Sequence, residues 1–286
     1  MKKVLLIDAN SLVHRCFHAL PPLTTPKGEP INAIYGISSI LLKILREHNP
    51  DYAVAAFDRP EPTFRDAMYK EYKAQRPPTP DTLISQLQRA RETFQKFGIN
   101  VIEKAGFEAD DIIGTLAEIF KKEPDTTVTI FSGDKDNLQL IDDKKVFVEL
   151  LRTGVSKTVM YDAALFLQDY GFSPEQLVDF KALVGDTSDN IPGVTGIGPK
   201  GASDLIKQYG TVEKMYEDIA LIPKKVLKEK LEAQRENAFL SKKLATIKRD
   251  MPIDETKEDM RYHVTDKETL KAYFAELGFK SLVERV

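Results

Sequence analysis

Apolar residues along the chain switch between two periods. Residues 4–7 form a short, β-prone apolar run that ends in Asp8, and residues 52–57 form another that ends in Asp58. Between them the spacing becomes helical. Leu12, Phe17 and Leu20 follow Asn10 and Ser11, either of which can cap a helix. Ile37, Ile40, Leu41, Ile44 and Leu45 share one face of a helix over 33–47. Strand, helix, strand is the signature of a parallel sheet covered by helices. Leu83, Leu87, Ala90 and Phe94 mark a further helix over 82–97, and residues 112–120 one that is half-buried. Residues 100–102, 127–131 and 146–150 read as strands, with 157–160 as a candidate.

After Asp162 the strand pattern nearly stops. Ser173 with Gln176, and Thr265 with Glu268, have the spacing of capping boxes. Helical patterns fill 200–209, 212–218, 224–244 and 267–277. The expected fold class is α/β: a mostly parallel central sheet flanked by helices over 1–160, then a helical part over 161–286.

Two stretches break the pattern. Residues 59–80 carry Arg59, Arg65, Lys70, Lys73 and Arg76, with Phe64, Tyr69 and Tyr72 interleaved and prolines at the edges. They read either as a solvated, partly helical insertion or as a flexible basic arm for phosphates, with aromatics for stacking on bases. Residues 196–201 match G-x-G-x-x-G, but a dinucleotide site needs a strand before the motif. Here a polar loop and Pro192 precede it. A tight hairpin between helices fits better, with Gly193, Gly196 and Gly198 permitting tight or left-handed turns. Amides at the following helix N-terminus, with Lys200, could hold a phosphate. A plain packing turn fits the spacing equally well.

The 286 residues are 42% hydrophobic and 30% charged, an ordinary soluble composition. No apolar run approaches the roughly 18 residues of a membrane span, and the N-terminal run is too short for a signal peptide. The single cysteine, Cys16, excludes an internal disulfide and a cysteine-built zinc site. A cytosolic location is the default expectation.

The carboxylates change the picture. Glu108, Asp110 and Asp111 fall within four residues at a helix start. One or two acids there complement the helix dipole. Three repel one another by about 1–4 kcal/mol per pair, so they need a basic side chain or a metal ion. Asp8, Asp58 and Asp134 end predicted strands, and in open α/β sheets the active crevice lies at those ends. Asp136 adds another ligand, and Asp186 and Asp189 can close the site from a loop. Mg²⁺ binds oxygen only. Two such ions about 3.5–4 Å apart can activate a water and stabilise the leaving oxygen in phosphodiester hydrolysis. The four histidines are scattered and offer no competing zinc site. The net charge of −3 argues against a nucleic-acid partner, yet setting these nine acids aside leaves +6 on the rest of the chain.

Together and in this order, the segments around Asp8, Asp58, 107–111, 132–136, 185–190 and 193–200 resemble the bacterial structure-specific 5′-nucleases. That is the flap endonuclease and 5′→3′ exonuclease family, which includes the N-terminal domain of bacterial DNA polymerase I. The resemblance spans residue 2 to about 280. It implies a PIN-like nuclease core with a helical arch at about 60–80. It also implies a helix–hairpin–helix at about 185–209 that grips duplex DNA and often holds K⁺. Two or more Mg²⁺ ions, replaceable by Mn²⁺, are implied. Their ligands would be Asp8, Asp58, Glu108, Asp110, Asp111 and Asp134 for the first, and Asp136, Asp186 and Asp189 for the second. Lys73 and Arg76 would face the scissile phosphate, joined in catalysis by the ligands Asp8, Asp58 and Asp111. Arg65, Tyr72, Gly193, Gly196, Gly198 and Lys200 would contact DNA. The implied substrates are 5′ flaps, nicked or gapped duplexes and RNA–DNA primers. A partner polymerase, a monomeric state and a cytoplasmic, nucleoid-associated location are implied too. With all nine acids present an active enzyme is expected, either standalone or a fragment of a larger polymerase. The rival expectations are a PIN-type ribonuclease and a non-catalytic junction-binding protein.

Overall fold

A computed structural model describes residues 1–286, the side chain of Thr153 excepted. In chain order the first half runs β1 (Lys2–Asp8), α1 (Ala9–Ala19), α2 (Asn32–His48), β2 (Tyr52–Phe57), α3 (Phe64–Met68), α4 (Asp81–Lys96), β3 (Asn100–Glu103), α5 (Ala109–Lys121), β4 (Thr126–Ser132), β5 (Val146–Thr153) and β6 (Lys157–Tyr161). The second half is helical: α6 (Ala163–Tyr170), α7 (Leu177–Val184), α8 (Pro199–Tyr209), α9 (Val212–Glu217), α10 (Lys225–Ala233), α11 (Arg235–Ala245), α12 (Lys267–Glu276) and α13 (Lys280–Val283). The strands form one sheet in the order β3-β2-β1-β4-β5-β6. Every pairing is parallel except that of β6 with β5. The expected α/β class holds.

The two-residue period of β1 decides how the layers form. Val4 and Leu6 face one core, with α5 and helices α7 to α11; Leu5 and Ile7 face the other, with α1, α2 and α4. Both faces are covered, so the strands read as continuous apolar runs. The expected boundary after residue 160 does not separate two cores. Leu177, Leu183, Leu205, Met215 and Ile247 share a core with the sheet. Leu270, Tyr273 and Phe274 of α12 return to the opposite face. No helix is long and apolar enough to cross a membrane.

Local chemistry moves several expected boundaries. Asp8, rather than Asn10 or Ser11, caps α1, its side chain accepting from the Ser11 amide. The helix α6, whose pattern is short, was not expected. The single helix expected over 224–244 breaks at Gln234, whose side chain accepts a 2.8 Å hydrogen bond from the Thr195 amide in the glycine hairpin. Asp266, rather than Thr265, caps α12 through the Thr269 amide. The expected helical arch contains only the five-residue α3; beyond Met68 the chain folds in turns onto the loop at 186–191.

The glycine hairpin joins α7 to α8. Gly193 has φ +63°, and a Cβ there would meet the Gly185 backbone nitrogen at 2.3 Å. Its amide donates to Ser241 Oγ at 2.9 Å. Gly196 also has positive φ. Gly198 does not: it is extended, at φ −91°, and caps α8. Gly193→Ala is expected to lower stability by about 1–3 kcal/mol, read from urea unfolding. A wild-type unfolding curve would contradict this reading of the hairpin.

Candidate metal centre

Three parallel strands deliver acids to one edge of the sheet. Asp8 ends β1, Asp58 follows β2, and Asp134 lies just past β4. The N-terminus of α5 faces the same edge. Its first amide, of Ala109, donates to Asp58 Oδ1 at 2.7 Å, so Asp58 serves partly as a cap. Asn10 clamps Asp58 from the other side, donating to Oδ2 at 2.9 Å and accepting from the Asp58 amide at 3.2 Å. Asp8 accepts from the Ser11 amide and from Ser132 Oγ, at 3.1 and 2.6 Å. Asp110 accepts from Asn137 Nδ2 at 2.8 Å. Asp134 caps the turn after β4 and accepts from the Asp136 amide.

These acids open onto a cleft of about 150 Å³. Asp8, Asp58, Glu108, Asp110, Asp134, Asp136 and Asp189 line it, with Lys73, Arg76, Tyr72 and His14. Burial raises Asp8 to about 6, with Asp134 adding to the effect against hydrogen bonds from Ser11 and Ser132. Burial and then Asp134 raise Asp136 to about 7, opposed by Lys181. Asp110 is held well above the usual carboxylate range by burial and by Asp8, Asp134 and Asp136. Negative charge is therefore in excess here.

Elsewhere the protein supplies its own cations. Glu108 Oε1 accepts from Lys73 Nζ at 2.8 Å, and Glu108 Oε2 from Tyr72 OH at 3.2 Å. Asp189 accepts from Tyr72 OH at 3.1 Å and from Arg76. Lys181 donates to both Asp136 and Asp186. Burial alone would lower Lys181, but these two acids outweigh it and raise it above its ordinary value. The basic arm is further tied down by the Lys73 amide on Asp189 O and by Asn190 Nδ2 on Glu71 O. Lys73 and Asn190 both have positive φ where these loops meet.

Several expectations need correcting. Asp111 is fully buried. Both its oxygens receive Arg65, at 2.8 and 2.9 Å, and also the Glu108 and Lys248 amides. It holds an ion pair and does not face the cleft. Arg65 is 2% exposed and also donates to Leu244 O and Thr246 O, so although it lines the cleft its guanidinium is already committed to protein partners. Tyr72 is buried at 5% exposure and bonded, not free to stack. Asp186 lies beside Asp136, whereas Asp189 sits on the Glu108 side, so the expected second trio is divided. The Gly193 amide is spent on Ser241, while Gly196, Gly198 and Lys200 are exposed. Lys181, Asn10, Asn137 and Ser132 were missed. Lys181 had one signal, as the only cation in the largely apolar stretch 177–184 before Gly185.

The donor set fits a hard divalent ion: oxygen only, several acids, no cysteine. Among the described residues no three His, Cys, Asp or Glu side chains already form a cage. The cause is visible, since Glu108, Asp136, Asp186 and Asp189 turn toward Lys or Arg.

Residues 3–171 match the 5′-3′ exonuclease N-terminal resolvase-like domain, and residues 172–268 the 5′-3′ exonuclease C-terminal SAM fold. The chain belongs to the 5′-3′ exonuclease family. It is 37% identical to the 5′-3′ exonuclease of Aquifex aeolicus, covering 100% of this chain and 96% of that protein. It is 44% identical to DNA polymerase I of Bacillus subtilis, spanning all of this chain and 32% of that protein. The chain thus spans about a third of the polymerases it matches. A solved T5 5′-exonuclease with bound divalent metal ions (zinc) superposes at TM-score 0.72 and 23% identity, covering 85% and 89% of the two chains. The catalytic core of Rad2 with a DNA substrate superposes at 0.62 and 19%, covering 100% and 93%. At these identities the two structures establish the fold.

The buried ion pair and the raised carboxylates each set a measurable expectation. Arg65→Leu leaves the Asp111 charge buried and unpaired, so stability should fall by about 3–5 kcal/mol in chemical unfolding; a change below 1 kcal/mol would contradict the buried-pair role. Asp8 and Asp136 have folded pKa values raised above the unfolded 3.8. Their stabilising effect is complete below that value and is lost as pH rises through about 6 to 7. Metal-free protein should therefore melt lower at pH 8 than at pH 5.5, and added Mg²⁺ should restore more at pH 8. A melting temperature that rises over this range would contradict it.

Proposed function

We propose that the chain is a divalent-metal-dependent, structure-specific 5′-nuclease that hydrolyses phosphodiesters near single-strand/duplex DNA junctions. One observation carries this reading. Six cleft-lining acids from the sheet edge and α5 meet two cations, Lys73 and Arg76, from a separate loop across the same cleft. Asp8, Asp58, Glu108, Asp110, Asp134 and Asp136 would hold the ions, with Asp186 and Asp189 adding charge from the hairpin side. Mg²⁺ is the proposed metal and Mn²⁺ a substitute. When bound, such ions activate a water and stabilise the leaving oxygen. Asn10, Ser132 and Asn137 keep Asp58, Asp8 and Asp110 in position. Lys73 and Arg76, freed from Glu108 and Asp189, would stabilise charge on the scissile phosphate.

Duplex is proposed to bind at the hairpin, where Gly196, Gly198 and Lys200 are exposed and the open end of α8 favours a phosphate. Hairpin carbonyls would hold K⁺. The proposed substrates are 5′ flaps, nicked or gapped duplexes and RNA–DNA primers. The proposed setting is a monomer in the cytoplasm, near the nucleoid, acting with a DNA polymerase. The shared core of the sheet with α7 to α11 supports this reading over a PIN-type ribonuclease without the helical half.

The test is a 5′-labelled flap on a nicked duplex with Mg²⁺ or EDTA. A short product cut near the junction, in Mg²⁺ only, is expected; binding without cleavage would contradict the enzyme reading. Lys73→Ala should slow cleavage by about 100-fold or more while weakening flap binding far less. Equal losses in both would contradict the charge-stabilising role.

A further inference from the structure

Lys181 is a cation that the proposed chemistry leaves without a task. It projects from α7, whose Leu177, Ala182 and Leu183 lie in the core and whose other charged residue, Asp179, is paired with Lys242. Its ammonium is shared between Asp136 and Asp186, the latter at 2.6 Å. Those acids come from different places. Asp136 follows β4, and Asp186 opens the loop after α7. Two carboxylates that converge on one ammonium could close slightly further onto one metal ion, whose own contacts are shorter, at about 2.0–2.1 Å. The lysine and a metal ion cannot occupy that space together.

We propose that Lys181 is a resident counter-cation for the Asp136–Asp186 side of the centre, and that it weakens divalent-ion binding there by competing for the same oxygens. This rests on the metal-centre reading above. The competition runs on charge. Without Lys181, two carboxylates face each other uncompensated, and a divalent ion gains their full attraction. With Lys181 in place, an entering ion must first displace a monovalent one. The cleft side of Asp8, Asp58 and Asp110 has no such resident, because Asp8 and Asp110 accept only neutral donors. The two sides should therefore differ in affinity, the Asp136–Asp186 side being the weaker in the free protein.

The test counts Mn²⁺ bound to DNA-free protein, by the loss of the free-ion electron paramagnetic resonance signal, for wild type, Lys181→Met and Lys181→Arg. Wild type should show one tighter and one weaker class of site. Lys181→Met should bind at the weaker class about tenfold more tightly or better, and Lys181→Arg should resemble wild type. Unchanged or weaker binding in a folded Lys181→Met protein would overturn the proposal and leave Lys181 a structural bridge. No Mn²⁺ binding to wild type at all would instead overturn the metal-centre reading, and this proposal with it. A second measurement needs no variant. Amine-reactive labelling of Lys181, followed by peptide mass spectrometry, should rise when Mg²⁺ is added to wild type, as the ammonium is released. Constant labelling at Mg²⁺ levels that fill both classes would overturn the proposal even if Lys181→Met failed to fold.

Discussion

Repulsion among carboxylates held at one sheet edge is the constraint on which the rest of this structure depends. Strand ends in a parallel sheet are rigid, so Asp8, Asp58 and Asp134 cannot move apart to relieve it. The fold meets the constraint in three ways. Neutral donors, from Asn10, Ser132 and Asn137, spread the charge of Asp58, Asp8 and Asp110. Protonation is made easier, which raises Asp8, Asp110 and Asp136. Cations from elsewhere in the chain, Lys73, Arg76 and Lys181, close on the remaining acids. A divalent ion is a fourth answer, and the one that the oxygen-only donor set suits.

The same constraint explains why the helical half is joined to the sheet rather than tethered to it. Asp186 and Asp189 lie at the entry to the glycine hairpin, and Lys181 lies one turn before them. The shared core of Leu183, Ile206 and Ile247 with Val128 and Ile130 fixes α7 against the sheet. That packing sets the distance from hairpin to cleft. A duplex held at the hairpin would thus meet the acids in a fixed register.

Much of this was legible in the sequence, because the periods of two and 3.6 residues record which side chains are buried. β2 and the sheet order's parallel core follow from runs that end in aspartate. Part of the acid placement was legible for the same reason: Asp8 and Asp58 close strands, and Glu108 and Asp110 open a helix, whose bounds the apolar pattern gives. What could not be read was pairing between distant segments. Asp111 and Glu108 look equivalent three residues apart, yet Arg65, 46 residues away in sequence, and the Lys248 amide hold Asp111 inward. Tyr72 reads as a stacking aromatic, and its burial depends on acids more than 35 residues away. The break at Gln234 depends on Thr195, in a hairpin that no local propensity encodes.

The central claim is that Asp58 and Asp110 take up a divalent ion at the cleft. Their side-chain donors offer a direct reporter. In a Mg²⁺ titration of ¹⁵N-labelled protein, the amide signals of Asn10 and Asn137 should shift together and saturate, because each donates to one of those acids. The amide of Asn32, which donates to Phe17 O and Leu20 O, should stay in place. Unmoved Asn10 and Asn137 signals at Mg²⁺ concentrations that support cleavage would contradict the account.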